Sequence, residues 1–198
     1  MTKNRKTGNS RSRAEYIRAF LSLLEEKEFE AISVQEIIQK STYSRAGFYR
    51  HFSDKYELAE TIVREEAVAY ASLLAEGMFK LEGKPPARYL YNLSLEVLLH
   101  VEAHKSLYQA VLTSRLPGLG LEAFCGYAVE AFRGESILPL RESMEELDME
   151  FYYYCTTHQF IRYICYWERT GFTKEPEEMA KQIAALYEWL EPGKLVSL

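Results

Sequence analysis

The spacing of the apolar residues constrains this chain most: they recur at a period near 3.6 along almost its whole length. Ile17, Phe20, Leu21 and Leu24 stand at i, i+3, i+4 and i+7, one stripe down a helix. Leu58, Ile62, Tyr70, Leu74, Met78 and Leu81 lie near one side of a longer segment. Leu90, Leu93, Val97 and Val101 share a face, and so do Met179, Ile183, Leu186 and Leu190. No segment alternates polar and apolar residues between turn dipeptides, as a half-buried strand does. The expected fold class is all-α.

Polar residues mark where the helices start. A hydroxyl or carboxylate at a helix start accepts an orphan N–H, and an acid three residues later reaches back. Ser12 with Glu15, Ser33 with Glu36 and Asp54 with Glu57 repeat that arrangement, and Ser44 offers a single cap. These predict helices over 12–28, 33–40, 44–51 and 54–81. Gly83-Lys84-Pro85-Pro86 breaks the chain, because proline cannot continue a helix. Further helices are predicted over 86–103, 105–114 and 121–133, with a turn at 116–120 and an interruption at Ile137-Leu138-Pro139-Leu140. A long helix over 143–170 ends at Gly171, and the last, over 176–190, opens on Pro176. The expected organisation is an N-terminal three-helix bundle with a helix-turn-helix over 1–55, and a larger helical domain over 56–198.

Several function classes are excluded at this point. The 198 residues are 47% hydrophobic and 27% charged, a globular balance. No run of about 18 apolar residues predicts a membrane span. The basic N-terminus precedes no apolar stretch, so no secretory signal is expected. Cys125, Cys155 and Cys165 form no CxxC pair, which argues for buried structural thiols in a reducing cytoplasm. No phosphate-binding glycine loop, HExxH or GxSxG motif is present, so no enzyme activity and no cofactor are expected. The net charge of −5 is an average over unlike parts. Residues 1–55 hold 11 Lys/Arg against 7 Asp/Glu, and residues 56–198 hold 13 against 22. A basic segment on an acidic body suits a phosphate-bearing partner only where its shape meets one.

Residues 33–52 supply that shape. Two short helices flank a tight turn, with Ile37, Ile38, Phe48 and Phe52 available to pack them together. This geometry lays the second helix in a major groove while the first crosses the backbone. Phe29 to Ile32, Ser33-Val34-Gln35-Glu36-Ile37 and the run from Ser44 to Leu58 resemble the DNA-binding domain of TetR/AcrR transcriptional regulators. The hallmark is Phe48-Tyr49-Arg50-His51-Phe52 followed by Lys55 and Leu58. The resemblance implies that Tyr49 and Lys55 touch phosphates, and that Tyr43, Ser44, Arg45 and Gly47 face the groove. Arg45 is suited to guanine O6/N7 and equally to a phosphate. The implied DNA-binding set is Ser33, Thr42, Tyr43, Ser44, Arg45, Gly47, Tyr49, Arg50, His51 and Lys55. Two residues depart from the family pattern. Thr42 stands at the usual turn glycine, and a β-branched residue disfavours positive φ, so another turn conformation is expected. Gly47 replaces a Thr or Ser and has no side chain to read a base. Readout is therefore expected to lean on Tyr43, Arg45 and the arm from Arg5 to Arg13, with Gly47 allowing close backbone approach. The arm has three open roles: a minor groove, a phosphate contact, or disorder.

The segment from Phe151 to Trp167 is apolar almost all round, so it must be covered on more than one side. With the last helix it is the natural homodimer surface, two helices per subunit making a four-helix bundle. Tyr166 to Gly171, then Pro176 to Ala180, is similar to the activators of dihydroxyacetone-kinase operons, which answer to a protein partner. Tyr89, Leu93, His100, His104, Tyr108, Phe124, Tyr127, Tyr154 and His158 are the candidates for an effector pocket, chosen as aromatic and apolar with few polar groups. His100 and His104 stand at i, i+4, a spacing able to ligate a metal if His158, Glu102 or Glu96 joined them. Ordinary hydrogen-bonded histidines and no metal are the expectation. The whole reads as a cytoplasmic, homodimeric regulator of double-stranded operator DNA, with no membrane partner. It is expected to be a repressor released by a small-molecule effector. The alternatives are an activator controlled by a protein partner, or a helical interaction module without DNA binding.

Overall fold

The computed structural model describes residues 3–79, 87–134 and 148–189. Among them no strand occurs. The order is α1 (Lys3–Glu26), a 3-10 turn (Phe29–Ala31), α2 (Val34–Ser41), α3 (Arg45–Tyr49), α4 (Lys55–Phe79), α5 (Ala87–Ala103), α6 (Lys105–Leu112), α7 (Leu121–Gly134), α8 (Met149–Arg169) and α9 (Pro176–Trp189). The all-α expectation holds. The expected break at Gly83 to Pro86, the interruption at 137–140, the start at 143, and Leu81 and Leu190 lie outside the described residues.

Side chains close the helix ends much as their spacing predicts. The Ser33 hydroxyl accepts the Glu36 N–H, and the Glu36 carboxylate accepts the Ser33 N–H at 2.9 Å, a full capping box. Ser44 Oγ accepts the Gly47 N–H at 3.1 Å. Asp54 Oδ1 accepts the N–H groups of Tyr56 and Glu57, both at 2.8 Å. Glu57 reaches back to Ser53 rather than to Asp54, at 2.6 Å. Asp148 caps α8 in the same way. The Ser12–Glu15 start is displaced, because α1 already begins at Lys3. Ser12 is buried and bonds to His51, 39 residues away, while Glu15 pairs with Arg18 on its own helix. Tertiary burial of the hydroxyl outweighs a local cap, so the expected arm is the first turns of α1.

The chain forms two compact units: Met1–Glu66 with Ser106–Phe124, and Ala67–Lys105 with Cys125–Leu198. The division falls inside α4 rather than at residue 55. In the first unit Tyr16, Phe20, Phe29, Phe48, Phe52 and Leu58 make the core. Phe20 meets Phe29 edge-on at 6.1 Å, and Phe48 lies 5.7 Å from Phe52. Arg115 joins that unit by donating to the carbonyls of Leu24 and, at 3.1 Å, Lys27, just where α1 ends. A cation there satisfies carbonyls that the helix leaves open and opposes its negative end. No local pattern announces a bond spanning about 90 residues, which is why 106–124 read as part of the later domain.

In the second unit α5 packs along α9. Leu93, Val97, Ile161, Ile164, Trp167 and Ile183 are buried there. Tyr70 Oη donates to the Thr157 carbonyl at 2.9 Å, giving a buried phenol its partner. Gly171 ends α8 at φ 70°, the left-handed cap that favours glycine, and Trp167 Nε1 donates to the Lys174 carbonyl before Pro176 opens α9. Cys125 is buried as expected, whereas Cys155 and Cys165 are only half-buried.

The Lys27 ammonium, then the Ser33 N–H and hydroxyl, hold the Glu36 carboxyl down to about 2 from 4.5. A depressed carboxyl contributes stability that is present above pH 4.5 and lost as pH falls toward 2. Thermal unfolding followed by circular dichroism across that window is expected to show a shallower acid loss in Glu36→Gln than in the wild type. Equal slopes would remove Glu36 from the acid response.

Candidate nucleic-acid interface

The second helix of the motif, α3, is five residues long, far too short to be stable alone. Phe48 anchors it with no exposed surface. Arg45, Ala46, Tyr49 and Arg50 consequently point outward, with Thr42 and Ser44 exposed at its leading edge. Tyr49 is 47% exposed, its ring set edge-on to Phe48 at 5.5 Å. The Arg45 guanidinium lies 5.5 Å from the Tyr49 ring centre and 3.5 Å from its hydroxyl. That contact restrains a long, flexible donor fork, so less freedom is lost when it meets a base edge or a phosphate. Ala46 was not in the expected set. Its place between Arg45 and Tyr49 on the outer face is the signal that identifies it.

Thr42 does not avoid the left-handed region. It sits at φ 61° and ψ 12°, capping α2, with its N–H donating to the Gln39 carbonyl at 3.4 Å. A β-branched residue in that conformation costs about 1–2 kcal/mol. Ser41 offsets part of it: its hydroxyl donates to the Ile38 carbonyl and accepts the Tyr43 N–H. The turn thus keeps the shape that a glycine would give it, with threonine in place.

Four of the expected contacts are set behind this face. Lys55 is the clearest. Its ammonium donates to the carbonyls of Phe29, Glu30 and Ile32 at 2.9, 3.2 and 3.0 Å, and lies 4.5 Å from the Phe29 ring centre. Only 12% of its side chain is exposed. It closes the 3-10 turn, adding a second donor to the Phe29 carbonyl, which also accepts the Ile32 N–H at 3.1 Å. His51 is half-buried with Nε2 3.0 Å from Ser12 Oγ. Burial, then the charges of Arg50 and Arg13, pushes its titration down, which favours the uncharged ring. Tyr43 is half-buried, 6.0 Å from the Tyr16 ring. Gly47, expected to approach DNA, is buried on the opposite side of α3. The hydroxyls of Ser33 and Ser44 are engaged as caps. Arg13 pairs with Glu65 at 2.6 Å.

Residues 17–62 match the family described as "Bacterial regulatory proteins, tetR family". Residues 89–188 match "Transcriptional regulator C-terminal region". The chain belongs to the TetR family of transcriptional regulators. An uncharacterized HTH-type transcriptional regulator of Haemophilus influenzae is 23% identical to it over 153 residues, 77% of this chain and 67% of that protein. A TetR-family regulator from Syntrophomonas wolfei has the same fold, with a TM-score of 0.67 and 17% identity over 92% of this chain and 95% of that one. The fatty acid degradation regulator FadR from Bacillus halodurans gives 0.64 and 12%, over 88% and 93%. In this TetR regulator α2 and α3 form the helix-turn-helix, and α3 presents Arg45, Ala46, Tyr49 and Arg50 outward.

The nine effector-pocket candidates divide between the two units. Tyr108 and Phe124 are buried in the first, their rings 5.6 Å apart. In the second, Leu93 is buried and Tyr89, His100, Tyr127 and His158 are half-buried. Tyr154 is 56% exposed and stacks on His158 at 3.9 Å, and His104 is also exposed. Tyr154 therefore lies on the outside of α8: its neighbours Tyr152 and Tyr153 occupy the buried side. His104 Nδ1 and His100 Nε2 stand 3.3 Å apart. No described helix is long and apolar enough to cross a membrane.

Lys55→Met keeps the stem and removes the ammonium. It is expected to lower stability by about 1–3 kcal/mol in urea unfolding, because the part-buried bonds to the Phe29 and Ile32 carbonyls and the exposed one to Glu30 are lost. The salt dependence of DNA binding is expected to stay unchanged. A slope reduced by about one with stability intact would instead make Lys55 a phosphate contact.

Proposed function

We propose that this TetR-family regulator is a homodimeric repressor that places one α3 in the major groove of each half of a near-palindromic operator and leaves when a small molecule binds its helical body. The observation carrying this reading is the outward row Arg45, Ala46, Tyr49 and Arg50, in which two guanidiniums flank a phenol on one short helix. Arg45 is the base reader, Tyr49 and Arg50 the phosphate contacts, and Ala46 an apolar patch suited to a thymine methyl. Binding by so few positive groups still displaces counterions, so affinity falls with salt. The effector acts through α4, which contributes residues to both units, and it must bind the two states of that helix unequally.

The dimer reading is supported by exposed apolar surface on the last two helices. Phe151, Tyr154, Tyr166, Leu186 and Trp189 are each more than 40% exposed. A groove of 350 Å³ between α8 and α9 runs past Tyr166, Met179, Ile183 and Leu186. Surface of that kind is rare on a monomer, and a two-fold axis covers it with its own copy. An activator answering to a protein partner is the second reading, favoured by the likeness of Tyr166 to Ala180 to activators of that type. An interaction module without DNA binding loses its grounds, because Thr42 keeps the usual turn and Gly47 has a packing reason.

Selection from a randomised duplex pool is expected to enrich a near-palindrome bound by two subunits. Its affinity should fall at least about tenfold between ~50 and ~200 mM salt. Arg45→Ala is expected to relax the preference at one position of each half-site, and Tyr49→Phe to weaken all duplexes alike. No enrichment would overturn the regulator reading, and a purely uniform loss in Arg45→Ala would end its base-reading role. In sedimentation velocity, Tyr166→Glu/Leu186→Glu is expected to run as a monomer. A wild-type sedimentation coefficient would place the dimer elsewhere.

A further inference from the structure

We infer that Tyr16 and Gly47 act as one positioning device for the recognition helix: the Tyr16 phenol fixes the first turn of α3, and residue 47 is glycine because that phenol fills the space of a side chain. The inference rests on α3 being the DNA-reading helix, and it assigns a role to a residue of α1 that touches no DNA.

Tyr16 has no exposed surface. Its hydroxyl donates to the Ser44 carbonyl at 2.7 Å. Ser44 is the residue that caps α3, and the same carbonyl accepts the Phe48 N–H at 3.1 Å, the first bond of the helix. Both lone pairs of one oxygen are therefore used, one by α3 itself and one by α1. On the other side of that residue, Ser44 Oγ accepts the Gly47 N–H. A helix of this length takes its orientation from tertiary contacts, and this is the polar one made at its leading end.

The space is equally defined. A Cβ on residue 47 would lie 2.5 Å from Tyr16 Oη, 3.2 Å from Ser44 Oγ and 3.6 Å from the Arg50 guanidinium, where ordinary contacts run 3.4–4 Å. The phenol cannot swing aside. Its ring is held edge-on by Phe48 at 5.4 Å, with Tyr43 at 6.0 Å and His51 at 6.1 Å. Burial also pushes its titration up, so the hydroxyl remains a donor. In an ordinary helix alanine would be favoured over glycine by about 1 kcal/mol. Here alanine forces either the phenol from its carbonyl or α3 from its seat, and both shift Arg45, Ala46 and Tyr49 against the groove.

The coupling has a signature that two separate packing effects lack. Take the duplex most enriched by the wild-type protein and an unrelated duplex, and measure fluorescence anisotropy for Gly47→Ala, Tyr16→Phe and the double variant. Gly47→Ala is expected to lose at least about tenfold in affinity for the enriched duplex, as overpacking does. Tyr16→Phe loses about three- to tenfold, the worth of one hydrogen bond. The double variant returns to the Tyr16→Phe level, because removing Oη takes away the atom nearest the new methyl. The ratio of specific to non-specific affinity follows the same order, which a loss of stability alone does not move. Thermal unfolding of the four proteins gives the same cycle without DNA: Gly47→Ala melts lowest and Tyr16→Phe raises it. Losses that multiply in the double variant, or wild-type behaviour of Gly47→Ala, would overturn the inference. If the wild-type protein enriches no duplex, the DNA-reading assignment fails, and with it the positioning role. The melting cycle then decides separately whether the two residues are coupled.

Discussion

A five-residue helix cannot hold its own direction, so the reading head depends on what grips its first turn. That grip is the bond from the buried Tyr16 hydroxyl to the Ser44 carbonyl. The phenol sits among Phe48, Tyr43 and His51, and its hydroxyl donates to the carbonyl of the residue that caps α3. Phe48 then supplies the apolar side of the seat, and the outward order of Arg45, Ala46, Tyr49 and Arg50 follows from the helical period. The same phenol excludes a side chain at Gly47, so the geometry of the reading face and the identity of a buried residue have one cause.

Positive charge in the first unit does more than face phosphate. Lys55 and Arg115 each donate to main-chain carbonyls at the ends of helical turns. Lys27 and Lys40 pair with Glu36 and Glu26, and Arg13 pairs with Glu65. A net excess of cations over residues 1–55 therefore overstates the charge that meets DNA. Arg45 and Arg50 stand exposed on and just after α3, on either side of Tyr49. Cations fixed on carbonyls build the shape, and cations on an exposed helix face are positioned by it.

The second unit follows a different logic. Its buried side is closed by α5 against α9 and by the Tyr70 hydroxyl on Thr157. The outer sides of α8 and α9 keep Phe151, Tyr154, Tyr166 and Trp189 exposed. Among the described residues, α8 is covered on one side and leaves Phe151, Tyr154 and Tyr166 on the other.

The sequence by itself determined the all-helical class, the caps at Ser33, Ser44 and Asp54, and the family carried by Phe48 to Leu58. These are legible because a 3.6 period and a cap depend on residues within one or two turns of each other. The outward row on α3 is nearly legible: the motif implies Arg45, Tyr49 and Arg50, and the fold adds Ala46 to the same exposed side. What the tertiary structure decided is what each polar group does. Lys55 binds carbonyls of the preceding turn, Ser12 leaves its cap for His51, Thr42 accepts a left-handed turn, and Gly47 gives way to Tyr16. The reason is common to all four. A hydrogen bond or a clash is set by which atoms lie within about 3 Å, and folding brings those atoms together from distant parts of the chain or into contacts that spacing alone does not reveal.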